Sequence, residues 1–227
     1  MQRPDLMLLL GDNVYGDCLE PSCSRLQRAY AQWASLPSFA GFGPRFPVLA
    51  TWDDHDFGRG DGGRDFPWKA RAKELFLEFY GVAPGDARRE MGRGVQTSYI
   101  FGPGGQEVQI ILLDTRWYRS PLLKANVSRP GQERYVPSND VAGTMLGEDQ
   151  WRWLAAELRR PAALRLVASS IQFLSVAHGY EKWGNLPGER SRLLGLLRAA
   201  SPPPLVLSGD RHVGGLYSEN ASTPIIW

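Results

Sequence analysis

Lysine is nearly missing from this chain: only Lys69, Lys73, Lys124 and Lys182 stand among its 26 basic residues, and the rest are arginine. Arginine's planar fork suits phosphate and carboxylate, but a GC-rich genome gives the same bias, and that plainer cause comes first. A surplus of one charge is also lacking, since 24 acidic residues leave a formal net charge of +2. Such a balance does not announce a nucleic-acid or membrane-surface protein, and no specific nucleic-acid partner is expected. No apolar run approaches the roughly 18 residues of a membrane span. Leu6-Met7-Leu8-Leu9-Leu10 is too short for the hydrophobic region of a signal peptide and no small-x-small cleavage site follows it, so compartment stays open. Cysteine is scarce. Cys18 and Cys23 share one loop and could pair, but two cysteines make neither a disulfide framework nor a zinc site. The G-x-S-x-G elbow, the G-x-x-x-x-G-K-[ST] loop and any 20–50-residue repeat are absent too.

What remains is an ordinary globular chain of 227 residues, 43% hydrophobic, read as one domain over 1–227. Residues 5–10 and 46–52 read as buried strands, with a helix between them that starts after Pro21-Ser22 and stops at Pro37. An amphipathic helix runs from Phe66 to Tyr80, stopped by Gly81. Residues 95–101 and 107–113 flank Gly102-Pro103-Gly104-Gly105 as a hairpin. After the long connection 115–146, which at that length is functional or a lid, come helix 147–160, strand 163–171, helix 188–200 and strand 205–208. A hairpin interrupting the helix–strand alternation predicts a layered α/β domain with a mixed sheet.

The chemistry collects where strands end. Asp12, Asp53-Asp54, Asp114 and Asp210 each follow an apolar strand, and two of the three histidines, His55 and His212, sit in the same turns. Ligands of open α/β sheets bind beyond the carboxyl ends of strands. One Asp after a strand is usually a turn or cap. Several together repel one another unless a cation neutralises them, and His beside two of them makes a metal site the economical reading.

In Gly11-Asp12-Asn13-Val14-Tyr15-Gly16-Asp17, Asp12 could bridge two cations and Tyr15 could join as a phenolate, a hard donor suited to a ferric ion; on the plainer reading Tyr15 merely packs. In Trp52-Asp53-Asp54-His55-Asp56, three carboxylates surround one histidine, and His55 is placed as proton donor or transition-state hydrogen bonder. Arg64 at position twelve, counted from Asp53, excludes an EF-hand. Gly58-Arg59-Gly60-Asp61-Gly62-Gly63 matches G-x-G-x-x-G but is set off from both strand and helix; it reads as a flexible active-site loop. In Gly209-Asp210-Arg211-His212, an extended backbone would send Asp210 and His212 to one face and Arg211 to the other. Arg116 reads as an internal ion pair before a phosphate clamp, and His178 sits in a loop that could line the cleft; both are kept as candidate substrate contacts.

These residues together resemble the alkaline phosphatase D family of metallophosphoesterases, with purple acid phosphatases as distant relatives. The marks are Gly11-Asp12-Asn13-Val14-Tyr15, Trp52-Asp53-Asp54-His55-Asp56, Asp114-Thr115-Arg116, Glu148-Asp149-Gln150-Trp151, Gly188-Glu189-Arg190-Ser191-Arg192-Leu193 and Gly209-Asp210-Arg211-His212, in the family's order along nearly the whole chain. The resemblance implies an αββα sandwich and a dinuclear centre, Fe3+ with Ca2+ or another divalent ion, that hydrolyses phosphomonoesters or phosphodiesters with a metal-bound hydroxide. It makes Asp12 the bridging ligand, Tyr15 the ferric phenolate, Asp54 (or Asp53) a further ligand, His55 the active-site histidine, and Asp210 and His212 the paired ligands of the last loop. Three departures stand out. Only four residues precede the first strand, where the family has an upstream strand ending in Gly-Ser-Cys. Gly60-Asp61 stands where the family commonly has Asn-Asp. The chain stops at Trp227 in what reads as a strand. The sequence is therefore expected to be a piece lacking the first and the C-terminal strands, periplasmic or extracellular if the family's export applies. A catalytically inactive piece that only binds calcium or supports a partner is the alternative, and a carboxylate-pair glycosidase using Asp53/Asp54 and Asp210 is a third.

Overall fold

The computed structural model describes residues 4–37, 46–127, 129 and 133–218. Its elements are β1 (Met7–Leu9), α1 (Ser24–Ser35), β2 (Val48–Ala50), α2 (Asp54–Phe57), α3 (Lys69–Phe79), β3 (Thr97–Phe101), β4 (Val108–Leu112), α4 (Gly147–Glu157), β5 (Leu164–Ser169), α5 (Pro187–Ala199) and β6 (Leu205–Ser208). The predicted helices and strands are there, most with trimmed ends, although strand 205–208 is matched in full and the helix expected at 188 begins at Pro187; the strand read at Trp227 lies outside the described residues. The helix predicted from Phe66 starts at Lys69, because Phe66 to Trp68 are still in turns. The short helix α2 falls where only a turn was read.

β1 and β2 run parallel, Met7 opposite Val48 and Leu9 opposite Ala50. The second sheet has the order β3-β4-β5-β6. Its β3–β4 pair is antiparallel, Thr97 opposite Leu112, and the other pairs are parallel. The hairpin closes through Gly102 and Gly105, both at positive φ, where glycine carries no Cβ penalty.

Side-chain alternation along β4 sorts the layers. Ile110 and Leu112 point inward with Leu49 and Ala168, against Leu8 and Leu10 from the other sheet. Ile111 and Leu113 point to the opposite face, where Trp151 and Leu154 of α4 and Leu193 and Leu197 of α5 cover them. On the far side of the small sheet, Leu26 and Tyr30 of α1 and Ala72 and Phe76 of α3 pack on Ala50 and Trp52. The result is the αββα sandwich. The α1 stripe Leu26, Tyr30, Trp33 has the i, i+4, i+7 spacing of one helical face, and Tyr30 and Trp33 stack on Phe79 at 4.6 and 5.6 Å. Cys18 and Cys23 are joined as a disulfide at the entrance to α1.

The 115–146 connection is pinned at both ends. Lys124 bridges Tyr135, and the amides of Arg134 and Tyr135 donate to the Gly179 carbonyl at 3.1 and 2.8 Å. Near its end, the buried Glu189 Oε2 of α5 accepts from the Thr144 hydroxyl (2.7 Å), the Met145 amide (2.6 Å) and the Trp151 indole (2.9 Å). At the other pole, Gly11 has φ 107°, and a Cβ there would lie 2.5 Å from the Asp53 Cβ, so the exits of β1 and β2 can approach only because this residue is glycine.

Glu189→Ala strips several buried donors of their acceptor and should lower unfolding stability by about 2–3 kcal/mol in urea titration. Gly11→Ala adds backbone strain to overlap with Asp53 and should cost about 2 kcal/mol or more in the same assay. A Gly11→Ala protein as stable as the parent would mean that the strand exits have room to part.

Candidate metal centre

The parallel strands of both sheets carry their C-terminal ends to one cleft. Its lining includes Asp12, Tyr15, Asp54, His55, Asp210 and His212, together with Asp61, Arg134, Tyr180, Glu181 and Arg211. Local backbone explains the aim of each. Asp12 follows β1 in the left-handed region, φ 50°. β2 passes at once into α2, so Asp53 precedes the helix and Asp54 opens it. Asp56 turns back as a brace: its Oδ1 accepts the Asp53 amide at 2.5 Å, and its Oδ2 accepts the Asn13 amide and side-chain Nδ2 at 3.2 and 2.6 Å. Burial pushes the Asp56 carboxyl up to about 8.

The last loop differs from its expected geometry. Asp210 and His212 have φ 71° and 53°, so the segment is a tight turn and the alternation rule for extended chains does not apply. Both still face the cleft. Arg211, expected on the opposite side, lines the cleft as well, with its guanidinium carbon 3.8 Å from the Tyr180 ring centre. Gly209 anchors the turn through an amide bond to the Ser170 carbonyl at 3.0 Å.

Among the described residues, ligand atoms of Asp12, Asp54 and His55 lie within 4.8 Å of one another, and so do those of Asp12, Asp53 and Asp210. Asp12 belongs to both groups. The Tyr15 hydroxyl donates to Asp12 Oδ2 at 3.3 Å and stands 3.2 Å from His212 Nε2. His55 is held through Nδ1 by Asp17 Oδ1 at 2.8 Å, and its amide donates to Asp12 Oδ1 at 3.3 Å.

The electrostatics are those of crowded acids. Burial and the Asp54 charge push Asp12 up to about 6. Burial and Glu181 push Asp210 up to about 7. Burial works against ionisation of Asp54 too, but Arg116, the Asp61 amide at 2.7 Å and His55 outweigh it and hold that carboxyl below its usual value. Burial and Asp12 push the Tyr15 phenol up to about 12. Burial pulls the His55 imidazole down, yet the Asp17 hydrogen bond and the Asp54 charge more than reverse it.

Asp53 is divided between two tasks. Its Oδ1 accepts Arg116 Nε at 2.7 Å, Arg116 Nη2 at 2.5 Å and Ser170 Oγ at 2.7 Å. Its Oδ2 is buried with no hydrogen-bond partner. An orphaned carboxylate oxygen in a second acidic triad, beside hard oxygen donors and imidazoles, fits a pair of cations. Among the described residues six carboxylates gather here (Asp12, Asp53, Asp54, Asp61, Asp210 and Glu181), with Arg116 and Arg119 as the buried guanidiniums beside them.

Several expected roles change. Arg116 is no substrate contact: it is fully buried between Asp53 and Glu181, the latter at 2.5 Å. His178 is not part of the cleft lining; its Nε2 is 2.9 Å from Gln172 Oε1, and burial with Lys182 nearby lowers its pKa to about 4. Asp114 is a turn anchor that accepts the amides of Val95, Arg116 and Trp117 at 2.8–2.9 Å. The Gly58–Gly63 loop is tied down rather than flexible. Arg119 Nη2 donates to the Asp61 carbonyl at 2.5 Å, while Arg134 and the Tyr135 hydroxyl donate to Asp61 Oδ2 at 2.9 and 3.0 Å. Sequence reasoning assigned no cleft role to Arg134, Tyr180 or Glu181, placed Arg211 on the opposite face, and included Asp61 only as part of the Gly58–Gly63 loop. The nearest signal was the polar stretch after His178 that contains Tyr180 and Glu181.

Alkaline phosphatase D of Bacillus subtilis (strain 168) is 23% identical over 205 residues, which are 81% of this chain and 34% of that protein. A solved structure of PhoD matches with a TM-score of 0.69 at 22% identity, over 96% of this chain and 48% of the other; at that identity the likeness concerns the fold. The chain thus spans about a third of the length of the first relative and about half of the second. The sequence pattern of the PhoD-like phosphatases matches residues 1–219, and the chain belongs to the PhoD-like phosphatase family.

Proposed function

We propose that this cleft is a dinuclear metal centre that hydrolyses phosphate mono- and diesters. The observation that carries the reading is the double membership of Asp12, shared by the Asp12–Asp54–His55 and Asp12–Asp53–Asp210 groups. Asp12 would bridge, Asp54 and Tyr15 would serve one cation, and Asp53 Oδ2, Asp210 and His212 the other, with Fe3+ beside Ca2+ or another divalent ion as the pair. Bound cations would neutralise the carboxylates, draw in the phosphate and bring the pKa of water to ~7, so that hydroxide is at hand at neutral pH.

The chain's own residues supply the rest. Arg116 holds Asp53 Oδ1, while Oδ2 is buried without a hydrogen-bond partner and so is free to serve a cation. The Asp61 amide fixes Asp54. Asp17 takes the Nδ1 side of His55, which leaves Nε2 to donate to the leaving oxygen as the ester bond breaks. Tyr15 packs on the His55 ring at 4.4 Å and limits its rotation. The Cys18–Cys23 disulfide supports an oxidising compartment outside the cytosol.

Metal analysis of the purified chain should return two cations, and hydrolysis of 4-nitrophenyl phosphate or its bis-ester should vanish on chelation. His55→Ala should lower kcat by about 10²- to 10⁴-fold with little change in KM, and Asp17→Asn by about tenfold. Equal rates in parent and His55→Ala would take His55 out of the reaction; neither metal nor turnover would remove the hydrolase reading. If Fe3+ is present, Tyr15→Phe should abolish the visible phenolate-to-iron absorption while the divalent ion is retained.

A further inference from the structure

Above the acidic floor of the cleft stands a feature that the hydrolytic reading leaves unused. Two arginines from separate loops address one aromatic ring. Arg211 lies with its guanidinium carbon 3.8 Å from the Tyr180 ring centre, and Arg134 with its own at 5.7 Å. Both line the same cleft as Asp12, Asp54 and His55. Arg134 is additionally tethered by Nη1 to Asp61 Oδ2 at 2.9 Å, although its side chain is 59% exposed. Among the described residues Arg211 has no carboxylate within ion-pair distance.

A guanidinium stacked on a ring is fixed in orientation while its N–H edge stays available, because the cation–π contact occupies the flat face. Arg211 held in this way, with Arg134 beside the same ring and oriented by its Nη1 bond to Asp61, makes a partly preorganised anion site. The cations expected on the floor would serve the scissile phosphate. The arginines line the same cleft, and Arg134 is joined to the floor through Asp61, whose amide holds Asp54 and whose carboxylate holds Arg134.

We propose that Arg134, Arg211 and Tyr180 form a second anion subsite, and that the preferred substrate carries a further negatively charged group, of phosphate type, next to the ester being cleaved. This rests on the hydrolase reading for the identity of the first site. The subsite sets specificity: it binds a part of the substrate at which no bond changes.

The test uses the full chain loaded with metal and two competitors of bis(4-nitrophenyl) phosphate hydrolysis, propyl phosphate and propane-1,3-diol bisphosphate, which differ by one phosphate. The parent should bind the bisphosphate about tenfold to a hundredfold more tightly, the value of one or two charge-assisted hydrogen bonds. Arg211→Ala and Arg134→Ala should each compress that preference by about tenfold. Arg211→Lys should restore only part of it, since an ammonium neither stacks flat nor presents a fork. Metal content is measured on each variant. A parent without preference, variants that keep the parent's ratio, or a loss of metal that accounts for the change would overturn the subsite. If the aryl diester is not hydrolysed at all, calorimetric titration of the same two compounds separates the claims. A retained preference for the bisphosphate keeps the subsite while the hydrolase reading falls, and equal binding removes both.

Discussion

Negative charge gathered from separate strand ends, and held there by two buried guanidiniums, is the constraint on which this architecture turns. Arg116 leaves the end of β4 and meets Asp53 from the end of β2; Ser170, just past β5, donates to the same Asp53 oxygen. Glu181 joins from the loop before α5 and spans Arg116 and Arg119 at 2.5 and 2.8 Å. The two sheets share an apolar strip of small extent, Leu49 with Ile110, Leu112 and Ala168, and apolar contact sets no register between them. The ion network does, because charges with so little access to water tolerate few arrangements. It fixes which strand ends meet.

That division of labour explains two adjacent aspartates with opposite duties. At the junction of β2 and α2, Asp53 faces the buried guanidinium and Asp54 faces the cleft. Burial raises Asp53 well above the usual carboxylate range, whereas Arg116, the Asp61 amide and His55 bring Asp54 below it despite burial. A backbone that continued as a strand would also have split the pair between two faces, but without the short helix His55 would not come beside Asp12. Asp56, third in the run, closes the arrangement by accepting from Asn13 across the two loops.

Much of this was legible beforehand, for a physical reason. Strand periodicity and the placement of acids at strand ends are local signals, so Asp12, Asp53, Asp54 and Asp210 could be read as one cluster before any coordinates. The hairpin between Val95 and Leu113 likewise announced a mixed sheet. What stayed hidden depends on left-handed backbone and on long loops. The alternation rule failed at Asp210 to His212 because two of the three residues have positive φ, which a run of polar residues does not reveal. Arg134 lies deep in a connection without periodicity, and its arrival beside Tyr180 is decided by its own amide and that of Tyr135 donating to the Gly179 carbonyl, seen only in the fold. Arg116 forms an ion pair as expected, but with the distant Asp53 and Glu181 instead of Asp114 in its own motif; a guanidinium wedged between two buried acids has no edge left for a phosphate.

The long connection between β4 and α4 takes on meaning from the same accounting. A direct link from the end of β4 to the start of α4 would satisfy the sandwich, since α4 packs on the adjacent face. The described part of the connection instead brings Arg134 to the cleft, pairs Lys124 with Tyr135, bonds to Gly179 and returns to Glu189. On the way it delivers Arg119 to Glu181, Tyr135 and Arg134 to Asp61, and through Asp61 it touches Asp54. Ordering so many backbone residues is costly in entropy, and between Trp117 and Met145, both in the core, the described residues add no buried apolar side chain. Its return is positional: it locks the loop that steadies a cleft carboxylate and puts a positive group above a negative floor. Change in such a connection would alter what the cleft accepts before it altered whether the sandwich folds.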